Sequence, residues 1–171
     1  MTKKILFFCV GVLFLFSAQA QNKKAAKYNN KIIDIQYKLV PDVVNFFKAF
    51  EGGSLMDLKA KKAVLSKDFD KAIKKVGAMK AFEGDAKLRD ASLEWFKLYK
   101  STLDTEYNHI IELVSIPKDK RTAEDKTKLQ KLSDNLIGRE TEIDEKFEAA
   151  QVEFSGRHNL ELVKYEIGQT N

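Results

Sequence analysis

Beyond residue 24, apolar side chains recur at steps of three and four for almost the whole length of the chain. Tyr28, Ile32, Ile35, Leu39, Val43, Phe46 and Phe50 follow this spacing, which places all seven on one face of a helix. A second stripe runs through Leu58, Leu65, Phe69, Ala72, Val76 and Met79, with Ile73 beside it. A third, rich in aromatics, comprises Leu88, Trp95, Phe96, Tyr99, Leu103, Tyr107, Ile110 and Val114. The fourth, Leu129, Leu132, Leu136, Ile143, Phe147, Ala150 and Phe154, keeps heptad spacing, with Glu140 on the step between Leu136 and Ile143. No long window alternates apolar with polar residues, and no Asn-Gly or Asp-Gly pair signals a hairpin.

The joints between the stripes are punctuated. Gly52-Gly53, Gly84 and the loop around Pro117 separate four segments of similar length. Ser54 and Asp85 are placed to cap the second and third helices, and Thr122-Ala123-Glu124-Asp125 resembles a capping box for the fourth. Lys48-Ala49-Phe50-Glu51-Gly52 recurs as Lys80-Ala81-Phe82-Glu83-Gly84. The residues upstream do not match, so we read two similar helix stops with glycine in the left-handed C′ position, not a repeat. Pro41 interrupts the first segment and predicts a kink or a break near Val40. The expected fold is all-α: an antiparallel up-down-up-down four-helix bundle whose first helix is kinked near Pro41.

The front of the chain has a different logic. Lys3 and Lys4 precede twelve apolar residues, Ile5 to Phe16, and Ala18-Gln19-Ala20 then gives the small-x-small pattern at which signal peptidase cuts. Twelve residues span about 18 Å as a helix, short of a hydrocarbon core of about 30 Å. We therefore expect residues 1–20 to be a cleavable signal peptide, with Ala18 and Ala20 at the cleavage site. Residues 21–160 would form the bundle and 161–171 a frayed C-terminal tail. Cys9, the only cysteine, lies inside the apolar run and not just after it, unlike the lipidated cysteine of a lipoprotein. The mature chain would then carry no thiol, and its net charge would fall from +5 to +3 with the loss of Lys3 and Lys4. No mature segment offers a long uncharged apolar stretch that could span a membrane.

Catalytic signatures are sparse. Gly-x-Ser-x-Gly, His-Glu-x-x-His and a phosphate-cradling glycine loop are all absent. Glu106 and His109 form a Glu-x-x-His step, but a di-metal bundle site needs two such steps, and His158 has Ser155 three residues before it. We read Glu106 and His109 as a surface pair, and expect no metal and no cofactor. The carboxylate pairs Asp68/Asp70 and Glu142/Asp144 sit among lysines and read as solvated faces. Lys61-Lys62, Lys74-Lys75 and Lys118 to Arg121 are interspersed with acids, and only Arg89, Arg121, Arg139 and Arg157 are arginines, a pattern that does not predict nucleic-acid binding. The notable deviations are polar residues on or beside the core stripes: Gln36, Glu140 and Gln151. They are either boundary positions and register-fixing hydrogen bonds, or the lining of a polar pocket inside the bundle.

Four phrases carry a family resemblance: Tyr28-Asn29-x-x-Ile32-Ile33-x-x-Gln36, Gly84-Asp85-x-x-Leu88-Arg89-Asp90-Ala91, Tyr107-x-x-Ile110-Ile111-x-Leu113, and Phe147-x-x-Ala150-Gln151-x-x-Phe154. In these the chain resembles an uncharacterised family of exported helical surface proteins of Bacteroidetes and spirochaetes, the leptospiral LIC type. The resemblance implies a helical protein exported to the envelope and brings no active site with it. The functional expectation is a non-catalytic binding protein of the periplasm or cell surface, its partner an envelope protein or ligand. The alternative is a carrier holding a small ligand or metal in a polar bundle pocket.

Overall fold

The computed structural model describes residues 13–16 and 23–165, with side chains described from Lys23 to Leu162. Ala18 and Ala20, the expected cleavage residues, and Cys9 lie outside the described residues. The fold is all-α. Six helical pieces make the four bundle rods: α1 (Lys23–Tyr37) with α2 (Val40–Gly52), α3 (Leu55–Gly77), α4 (Lys87–Asp104) with α5 (Glu106–Ser115), and α6 (Ala123–Arg157). Pro41 does more than kink the first rod. It stands in the opening turn of α2, where its missing N–H costs nothing, and α1 has already ended at Tyr37.

The caps read from sequence largely take hold. Ser54 accepts the Asp57 N–H at 3.1 Å, and the Asp85 side chain accepts the Lys87 N–H at 2.9 Å from two residues before α4 begins, the N-cap position itself falling to Ala86. Thr122 and Asp125 form a reciprocal capping box at the head of α6. The glycine stops behave differently from expectation. Gly52 is helical and Gly53 extended (φ −80°, ψ 167°), so neither is left-handed. Gly84 does have a positive φ of 86°, but α3 has already ended at Gly77. Phe82 and Asp85 instead exchange backbone hydrogen bonds at 2.9 Å across a tight turn in which Glu83 is also left-handed.

Another departure is at Thr105, where the third rod breaks into α4 and α5 although the apolar stripe continues through Leu103, Tyr107 and Ile110. The end of the chain also differs. Leu162–Tyr165, in the stretch expected to fray, forms strand β2, antiparallel to β1 (Leu13–Phe16), with Leu13 opposite Tyr165 and Phe16 opposite Leu162. Residues 166–171 lie outside the described residues.

The core follows the stripes. Ile32, Phe46, Leu65, Phe69, Val76, Phe96, Tyr99 and Ile110 are essentially sealed from solvent. Two aromatic layers mark opposite ends of the bundle. Tyr28, Phe82, Phe154 and His158 pack together where α1 begins and α6 finishes. At the other end Phe46 and Phe47 of α2 meet Tyr107 of α5 edge-on. These pairings set the first rod antiparallel to α6.

Candidate functional site

Polar residues accumulate along the buried face of α6. Ser133 and Ser155 are buried but harmless: their hydroxyls return to the carbonyls of Leu129 and Val152, each at 2.8 Å. Glu140 and Gln151 have no such local outlet. Both are fully buried, because each falls on the apolar stripe of a helix whose other stripe residues seal against α4 and α1.

Gln151, Gln36 and Glu140 are all inside the protein, as their positions beside the stripes suggested. They occupy separate levels. Gln151 donates through Nε2 to Asn29 Oδ1 at 3.1 Å, near the Tyr28–Phe154 end. Glu140 lies eleven residues earlier on α6, about 16 Å along the axis. Gln36 is seven residues after Asn29, roughly 10 Å further along α1 in the direction of Glu140. Gln151 thus serves as an inter-helix hydrogen bond, one of the two roles its spacing allowed. The oxygens Gln36 Oε1, Gln151 Oε1, Asn30 Oδ1 and both oxygens of Glu140 are buried and have no donor among the described residues.

The acidic level around Glu140 has the most unusual electrostatics. Burial, reinforced by the nearby Asp144 and Glu106, pushes the Glu140 carboxyl up to about 8, and Arg139 only partly opposes this. One turn further on, Asp144 accepts from Trp95 Nε1 at 2.7 Å and from the Tyr99 hydroxyl at 3.0 Å. Those bonds favour the carboxylate, yet burial outweighs them and raises Asp144 to about 6. Burial also pushes the Tyr107 phenol well up, with the neighbouring Glu140 adding to the effect. On the rim, Arg139 pairs with Glu106, which also takes a hydrogen bond from Thr105.

Two expectations from sequence are corrected here. Glu106 does not form a surface pair with His109: it is buried against Arg139, while His109 points to solvent. Asp144 is not part of a solvated acid pair with Glu142, because the two positions lie on different faces of α6. Glu142 is exposed and bonded to Lys146, while Asp144 turns inward to Trp95 and Tyr99. The i, i+4 spacing of Glu140 and Asp144 was the available signal that they share a face. Asn29 could have been found similarly, since Ala25, Asn29, Ile32 and Gln36 step along one side of α1.

Near the other end lies an open cleft of about 370 Å³, lined by Tyr28, Lys31, Met79, Lys80 and Phe82 among others. The Tyr28 hydroxyl crosses it to donate to the Lys80 carbonyl at 2.9 Å. A girdle of ion pairs closes the same end, with Arg157 bridging Asp85 and Glu153, and Lys87 reaching Glu153 at 2.8 Å. Among the described residues no group of three or more His, Cys, Asp or Glu side chains is arranged to hold a metal ion. No helix among them is long and apolar enough to cross a membrane.

Fold and site together define an all-α bundle with a buried acidic level beside the break in its third rod. No protein-family model matches the chain, and neither curated proteins nor solved structures give a match.

Proposed function

We propose that the chain is an exported, non-catalytic binding protein of the periplasm or cell surface. The signal-like start, with Lys3, Lys4 and the Ala18-Gln19-Ala20 motif, supports export. The observation that best supports binding is the uneven distribution of exposed apolar side chains. Of the six large ones among the described residues, five (Tyr37, Val44, Leu55, Met56 and Val64) fall between the end of α1 and the middle of α3, and Met56 is 81% exposed. Exposed apolar groups concentrated in one part of the chain, from the end of α1 to the middle of α3, favour a role in association. The partner under this reading is an envelope component with a complementary apolar surface.

Affinity capture from an envelope extract tests the reading. The folded protein should retain a component that both the heat-denatured protein and the Leu55→Ser/Met56→Ser variant fail to retain. Equal recovery by all three would count against it.

A carrier role is the second reading, favoured by the buried acceptors that lack donors, above all the two oxygens of Glu140. A donor-bearing small ligand would satisfy them. Native mass spectrometry of protein purified from its own host would show a stoichiometric mass increment if a cargo is held; the bare polypeptide mass would remove this reading.

A further inference from the structure

Glu140 stands where the structure is least able to solvate a charge. Its side chain is fully enclosed, and neither carboxyl oxygen has a hydrogen-bond donor. The charged and titratable groups that bear on it come from two helices. Its own α6 supplies Asp144 and Arg139; α5 supplies Glu106 and Tyr107. Facing elements add little charge to this level. α4 presents Trp95 and Tyr99, both committed to Asp144, and α2 presents Phe46 and Phe47 against Tyr107, neither of them titratable. The one cation, Arg139, is already paired with Glu106. Two like charges and one committed guanidinium leave the neutral acid as the form this packing accommodates.

The elements around this carboxyl are unequally secured. α4 is tied to α6 by the Trp95 and Tyr99 bonds to Asp144. By contrast, α5 is only ten residues long, is separated from α4 by the break at Thr105, and begins without a side-chain cap. It is paired to α6 through Glu106 and Arg139, packs Tyr107 on Phe46 and Phe47 of α2, and buries Ile110 and Ile111 in the core. Beyond it, the first ten residues of α6 contribute no fully buried side chain, and the far end of α5 is held by Arg121, whose guanidinium donates to the carbonyls of Val114 at 2.7 Å and Ile116 at 2.9 Å.

From this arrangement we infer that the contact between α5 and α6 is an acid-locked joint: closed while Glu140 carries its proton, and released when that proton is lost. Ionisation places a second or third negative charge in a sealed layer, and the charge is relieved only if water or a displaced Arg139 reaches it. α5 is the element able to move, hinging at Thr105 and exposing Tyr107, Ile110 and Ile111. The device depends on neither reading of the protein's binding role.

Hydrogen exchange of the purified protein at pH 6 and pH 9, corrected for the intrinsic pH dependence of exchange, tests the joint. Residues 106–115 should lose protection by up to about a hundredfold at the higher pH, while residues 88–104 retain theirs. Glu140→Gln and Glu140→Met, uncharged at every pH, should abolish the difference. Equal protection of α5 at both pH values in the wild type, or a loss that persists in either variant, overturns the inference. If neither variant folds, the carbon-13 titration of the wild-type Glu140 carboxyl decides. A midpoint above neutrality that coincides with loss of α5 protection supports the joint; one in the ordinary carboxylate range overturns it.

Discussion

The Gln151 amide donates to the Asn29 side chain at 3.1 Å, joining two helices from positions 122 residues apart in the sequence. Both side chains are sealed from solvent, so this bond, with the Tyr28–Phe154 ring contact one position away on α1, helps fix how α6 meets α1 at that level. An apolar pair would fill the same space, but it would not specify one register over its neighbours.

Gln151→Ala should therefore destabilise the protein by about 2–4 kcal/mol, since it combines a lost buried hydrogen bond with a cavity. Gln151→Leu should cost less, because it keeps most of the volume. Denaturant unfolding at neutral pH measures both; an alanine variant within about 0.5 kcal/mol of wild type would contradict the role given to this bond.

The two glycines after α2 should respond differently to alanine. A Cβ at Gly53 would stand 2.7 Å from the Ala49 carbonyl oxygen and 2.9 Å from its Cα, both backbone atoms that cannot swing aside. At Gly52 it would meet nothing within 4 Å, and the residue is already helical. Gly53→Ala should lower the melting temperature, with a loss of about 1–3 kcal/mol. Gly52→Ala should leave stability unchanged or raise it by up to about 1 kcal/mol.

Asp144 should make stability fall as pH rises. Its folded pKa of about 6 lies above the ordinary aspartate value of 3.8, so between these limits the native state holds a proton that the unfolded chain has released. The stabilisation is complete below the unfolded value and gone once pH passes the folded one. Unfolding free energies measured from pH 4 to pH 7 should decline by about 1–3 kcal/mol from this group, and Asp144→Asn should flatten that part of the curve. A wild-type profile that rises over this range, with no change in the variant, would contradict the burial argument.

Thr122→Ala removes one half of the capping box that opens α6. The expected cost is about 1 kcal/mol, measured by thermal or chemical unfolding, with Thr122→Ser recovering most of it. Exchange at the first amides of α6 should accelerate more than exchange near Gln151, because Leu129 and Leu132 are only partly buried and hold that end loosely.

Much of this architecture is legible from spacing alone. The stripes through Leu65, Phe69 and Val76, or Trp95, Phe96 and Tyr99, identify buried positions because a helix returns the same face every three or four residues. The break at Thr105 escapes that logic: Leu103, Tyr107 and Ile110 continue the stripe across it, and no proline or glycine marks it. The Lys-Ala-Phe-Glu-Gly recurrence misleads for a related reason, since five shared residues adopt a helix end at Gly52 and a tight turn at Gly84. For the polar residues, spacing announces Glu140 as a charge on an apolar step. It cannot announce Asn29 as the partner of Gln151, because that choice depends on how two distant rods align.

Trp95 is the only tryptophan in the chain, and its indole N–H is bonded to Asp144 while its ring lies 4.4 Å from that of Tyr99. The emission of a buried indole responds to a charge held against its nitrogen, and Tyr99 is close enough to pass its excitation on. The molecule consequently contains an intrinsic optical gauge of its own core acidity, readable in dilute solution without a label, at the one level where proton occupancy and helix packing meet.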